Sequence, residues 1–240
     1  MNSKLRFICL IVFVVGAVVL VPSDGDIAVN VSRKADADVI VIDPGHGGMD
    51  GGASSSSGTS EKDINLSIGI MLRELLEKEG LHVIMTREED RALYDENEEG
   101  SIRSHKTEDM KVRKRIIDEA DADLAVSIHL NSFTQDTSVK GAQVFYPQAD
   151  GDENADRSCA AAEIIQQELN EKINTAKDRT ELGKNDVYIL RDITCPIVIV
   201  ECGFLSNPQE AEMLSKNSYQ GKIVKALKAG ICSYLSGENM

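Results

Sequence analysis

The chain has 240 residues, enough for one substantial domain and too few for two comfortable ones. Its 42% hydrophobic and 28% charged residues are the composition of a globular fold with a real core. A formal net charge of −14 weighs against phosphate backbones, and so against nucleic acid, as a partner, and leaves any carbohydrate or peptide to be held by local contacts.

Lys4 and Arg6 precede an apolar run over residues 7–21, closed by Pro22, Ser23, Asp24 and Gly25. A basic start, a moderate apolar run and a polar exit describe an export signal, cleaved or kept as an anchor, over residues 1–25. The expected location is therefore extracytoplasmic, with membrane contact through this segment only. Residues 26–37 read as a linker, and residues 38–240 as one domain. In that domain, residues 38–43 form a buried strand running into the turn Pro44-Gly45-His46-Gly47-Gly48. Ser60 is a fair N-cap with Asp63 as its capping-box partner, and Ile64, Ile68, Leu72 and Leu76 give the following helix its period. Gly80 stops it.

A second strand is expected over residues 82–86, then a charged surface excursion over 88–106 and a helix over 109–120. Strands follow at 124–130 and 142–146, a helix at 155–172, strands at 187–190 and 197–200, and helices at 208–214 and 219–235. Alternating strands and helices predict an α/β domain with a central, twisted, mostly parallel sheet flanked by helices on both faces. The five cysteines, Cys9, Cys159, Cys195, Cys202 and Cys232, show no paired spacing and predict neither a disulfide nor a zinc finger.

Sites in open α/β sheets gather at the carboxyl ends of strands. His46 follows the first strand, His129 ends the third and Glu201 follows the strand at 197–200, while Glu61 opens the first helix. Each is ordinary alone: a strand-end histidine is more often packed than ligating, and a Glu in a first helical turn more often complements the helix dipole. Together, His46, Glu61 and His129 supply the three ligands of a catalytic zinc. Such an ion lowers the pKa of its water and polarises a carbonyl. Glu201, at the end of an apolar strand, is the group to move the proton, with burial raising its pKa in the useful direction. His82, at the opposite rim, and His105, in the excursion, read as structural or surface residues. Lys111, Arg113, Lys114 and Arg115 read as a solvated helix face.

The segments VIDPGHGG with His46, EKDINL with Glu61, SIHLN with His129 and IVIVECGFLSN with Glu201 resemble the N-acetylmuramoyl-L-alanine amidases of the zinc-dependent amidase 3 type. The likeness runs from about residue 38 to the C-terminus and takes in Thr86, Arg87, Asp90 and Arg113. It implies one zinc on His46, Glu61 and His129, Glu201 as catalytic acid/base, and hydrolysis of the amide joining N-acetylmuramic acid to L-alanine in peptidoglycan. Within the family, a leader joined almost directly to a lone catalytic domain is most similar to the sporulation amidases, which prepare spore cortex for muramic-δ-lactam formation and germination. No wall-binding repeats are visible, so targeting falls to the leader, the substrate or an activating protein partner.

Two other readings stand beside this one. A catalytically silent wall-binding or scaffold protein would have lost a ligand or Glu201, and none is lost. A zinc peptidase or deacetylase of the cell wall would share the site chemistry, so only the resemblance and the cleaved bond separate it. Cys202 as a nucleophile would need a histidine base, and both rim histidines are assigned to metal.

Overall fold

The computed structural model describes residues 37–95 and 100–237. The expected export segment and nearly all of the linker lie outside them. Among the described residues no helix is long and apolar enough to cross a membrane.

Six strands form one sheet in the order β2-β1-β3-β6-β4-β5. The central strands β1 (Val39–Pro44), β3 (Leu124–Asn131) and β6 (Ile197–Phe204) are near-continuous apolar runs, as parallel strands covered on both faces must be. β2 (His82–Met85) pairs parallel with β1, β1 with β3, and β3 with β6. β4 (Gln143–Pro147) runs antiparallel to β6, and the short β5 (Leu182–Lys184) pairs parallel with β4.

The period of two along each strand divides the core. Ile40, Ile42, Val126, Ile128, Val198, Val200 and Cys202 pack under α1 (Glu61–Lys78), α3 (Glu153–Lys172) and α5 (Asn217–Ser236). Val39, Val41, Ala125, Ile197 and Ile199 pack on the other face, with Ile116 and Ile117 of α2 (Ile102–Glu119). The short α4 (Pro208–Leu214) sits between β6 and α5, capped by Asn207, whose side chain accepts from Glu210 N at 3.0 Å.

The architecture is the one expected, with four local differences. α2 starts at Ile102, inside the stretch read as a surface excursion. Ser101 caps it by accepting from Ser104 N at 3.2 Å, and only three of its residues, Arg113, Ile116 and Ile117, are buried. So thin an apolar stripe hides a helix from a reading of periodicity. Ser60 makes no cap; its hydroxyl donates to Gly51 O at 2.8 Å and ties down the preceding loop instead. Residues 188–190 form a 3₁₀ turn rather than a strand, and the strand on that side is β5, too short and polar to show alternation. β6 runs on through Glu201 to Phe204, so Glu201 lies within the strand and not after it.

Candidate metal centre

The centre begins with a buried charge. Asp43, near the end of β1, accepts from Arg113 Nη1 at 2.6 Å, Thr86 Oγ1 at 2.6 Å and Ser127 Oγ at 2.7 Å. Burial alone would raise its pKa; Arg113 and the two hydroxyls outweigh that and hold it at about 2. Arg113 is not on a solvated face: it is 2% exposed, and it also pairs with Asp109 at 2.6 Å. Its neighbours in sequence make the segment look basic and solvated, but helical spacing turns Arg113 inward beside Ile116 and Ile117.

The same guanidinium shapes the turn after β1. Arg113 donates to Pro44 O at 2.8 Å and His46 O at 2.6 Å. Arg87, also buried, donates to Pro44 O at 2.8 Å and Gly45 O at 3.0 Å. His46 sits in the left-handed region, at φ +63°. That conformation costs a non-glycine residue free energy and persists only where the surroundings over-determine it, as two arginines on three successive carbonyls do here. Gly45 could be no other residue, since a Cβ there would collide with the His129 ring.

Glu61, the first residue of α1, enters from the neighbouring loop. Its Oε2 accepts from Ala53 N at 2.7 Å, and its Oε1 accepts from Leu130 N at 3.0 Å. His46 Nε2 lies 3.2 Å from Glu61 Oε1, and His129 Nδ1 lies 3.1 Å from the same oxygen. One ligand atom from each of the three residues falls within 4.8 Å of the others. The imidazole rings meet edge to face with centroids 5.0 Å apart. Two nitrogens and one carboxylate oxygen converging in this way are the donor set of a catalytic zinc, and the residues fit that ion.

Electrostatics agree with the geometry. Burial lowers the His46 pKa, but hydrogen bonds to Asp50 and Glu61 outweigh it and raise the ring to about 9. Burial pushes Glu61 up, and the two histidines overcome it, holding the carboxyl well below the usual range.

Glu201 stands directly across from His129 in the β3/β6 register, with Gln143 of β4 on its other side. Its Oε2 is buried and has no hydrogen-bond partner among the described residues. Burial, reinforced by Glu61 and opposed by the histidines, raises its pKa to about 7. Cys202 points into the opposite core, where burial pushes its thiol far up, so it is no nucleophile. His105 stacks on Tyr94 with centroids 4.5 Å apart, and neither it nor His82 joins the cluster. Sequence reasoning missed Asp50, whose Oδ2 lies 2.8 Å from His46 Nδ1; its one signal is its place four residues beyond His46 in the same loop.

An α/β domain with a histidine–glutamate–histidine cluster at the carboxyl rim of its parallel strands is what fold and site define. Residues 40–233 match the family described as N-acetylmuramoyl-L-alanine amidase, and the chain belongs to that family of cell-wall hydrolases. It is similar to the germination-specific N-acetylmuramoyl-L-alanine amidase of Bacillus subtilis (strain 168), with 37% identity over 82% of this chain and 80% of that protein. Among solved structures it resembles the CwlD amidase from Clostridioides difficile in complex with the GerS lipoprotein. That match has 42% identity and a TM-score of 0.79, covering 83% of this chain and 99% of that one. The N-acetylmuramoyl-L-alanine amidase from Clostridium difficile 630 matches at 28% identity and a TM-score of 0.72, over 85% of this chain and all of that one.

Proposed function

We propose that this amidase is zinc-dependent, that His46, Glu61 and His129 hold the ion, and that Glu201 is its catalytic acid/base. The observation that carries the reading is the convergence of three donor atoms within 4.8 Å, beside a buried, unpartnered carboxylate oxygen. When bound, zinc supplies a Lewis acid for the substrate carbonyl and a water of lowered pKa. Glu201 would take a proton from the attacking water and pass it to the leaving nitrogen. Its raised pKa keeps it exchangeable near neutrality, and its unpartnered oxygen leaves no other group competing for the proton. The carbon–nitrogen bond between the lactyl group of N-acetylmuramic acid and L-alanine breaks. The carbonyl carbon keeps the water's oxygen as a carboxylate, and the alanine leaves as an amine.

The biological setting we infer is spore cortex, where removal of stem peptides precedes muramic-δ-lactam formation and germination. Similarity to a germination-specific amidase and to CwlD supports it. The CwlD structure, solved with a lipoprotein, also supports an activating or targeting protein partner here. Action on wall places the enzyme outside the cytoplasm, delivered by residues 1–25. A reporter fused after residue 35 is then expected on the outer side of the membrane.

The deciding experiment is mass spectrometry of purified peptidoglycan, including spore cortex, after incubation with the protein and zinc. Peptide-free muramic acid and stem peptides with a free alanine amine, both suppressed by a chelator, are the expected products. Cleavage of other bonds would point to a peptidase or deacetylase instead.

A further inference from the structure

His46 offers Nε2 to the cluster, and its other nitrogen, Nδ1, faces Asp50 Oδ2 at 2.8 Å. The second oxygen of Asp50 is held as well: Lys106 Nζ, from the first turns of α2, lies 2.8 Å from Oδ1, and Gly52 N donates to it at 3.3 Å. A carboxylate fixed at both oxygens and aimed at the non-ligating nitrogen of an imidazole decides which way that ring faces. Apart from the Gly52 contact, the loop is closed by its own backbone. Gly47 and Asp50 bridge through their backbones, at 2.9 and 3.0 Å, and those bonds survive a substitution at Asp50. His129 is held differently, with Glu61 Oε1 at 3.1 Å from its Nδ1. Of the two histidines, His46 is therefore the one with a dedicated carboxylate outside the donor set.

We propose that Asp50 is a positioning residue for the metal centre: it holds the Nδ1–H of His46 and so keeps Nε2 turned to the ion, with Lys106 steadying its outer oxygen. The inference rests on His46 being a metal ligand, and the test separates the two ideas. Zinc affinity is measured on the purified full chain by competition with a chromogenic chelator, alongside the visible spectrum of the cobalt(II)-substituted protein and the melting temperature of the metal-free form. Asp50→Ala is expected to weaken zinc binding by about 10- to 100-fold and to alter the cobalt spectrum, with melting unchanged. Asp50→Asn, which keeps an oxygen to accept the ring proton, is expected to recover part of the loss. Wild-type zinc affinity and cobalt spectrum in Asp50→Ala would overturn the role of Asp50 while leaving the metal centre standing. Wild-type zinc affinity in His46→Ala would overturn the metal-centre reading itself.

Discussion

His129 on β3 and Glu201 on β6 are direct partners across a parallel strand pair, so both side chains leave the sheet on the same face. The register alone puts a candidate ligand and a candidate proton carrier side by side, with no loop needed to bring them together. Immediately beyond them the register shifts between His129 and Asn131, a local irregularity after which Asn131 pairs with Phe204.

From that pairing, Glu201→Gln should reduce turnover by at least about 10²- to 10⁴-fold, the usual contribution of a positioned acid/base, while zinc content stays at the wild-type level. Product release by mass spectrometry and metal analysis on the same sample check both halves. Substantial residual turnover would remove Glu201 from the mechanism.

The same carboxyl has a signature in the metal-free protein. Its pKa rises from 4.5 to about 7 on folding, so the native state holds the proton more tightly than the unfolded chain. That contribution is complete below about pH 4.5 and is lost as pH rises through 7. Above pH 7 the ionised group is a burden on the native state, by roughly 3 kcal/mol. Metal-free Glu201→Gln should therefore melt higher than metal-free wild type at pH 8, with the difference shrinking towards pH 5. Parallel melting curves at all pH values would show the carboxyl to be solvated.

The sheet and the cluster were legible because both are written locally. The central strands are near-continuous apolar runs, and His46, His129 and Glu201 fall at or near their carboxyl ends. Arg113 was not legible as a buried group, since one counter-charge, Asp43, lies 70 residues away and nothing in the sequence near α2 announces it. Ser60 was misjudged for a related reason. A cap is inferred from the residues after it, whereas its hydroxyl turned back to Gly51. Glu201 inside β6 rather than beyond it follows from pairing on both sides, to His129 and Gln143, which a single strand's sequence does not carry.

Zinc loading should depend on pH through His46. Burial lowers its pKa, hydrogen bonds donated to Asp50 and Glu61 overcome this, and the ring titrates at about 9 against an ordinary 6.5. An imidazole ligates only when neutral at the donor nitrogen, so binding releases a proton at any pH below that value. Apparent zinc affinity should climb by up to about tenfold per pH unit between 6 and 9 and then level off. Chelator competition at several pH values checks this. A flat profile would mean that zinc binding displaces no proton from His46, and would count against its place in the donor set.

Arg113 is the residue whose loss should cost the fold most at this site. It is buried against Asp43 and Asp109, and it holds the carbonyls of Pro44 and His46. Replacing it by Met keeps much of the volume but leaves the Asp43 carboxylate buried without its cation, a loss of about 3–5 kcal/mol. For a domain of this size that is a fall in melting temperature of roughly 6–20 °C. Removing the stranded charge as well, in Arg113→Met with Asp43→Asn, should cost less than the two single changes summed, because the residues share one interaction. Zinc binding should still weaken in the double variant, since His46 loses the donor that holds its carbonyl in the left-handed turn. Additive melting losses would show that Arg113 and Asp43 are not coupled, and unchanged zinc affinity would show that the His46 turn does not depend on Arg113.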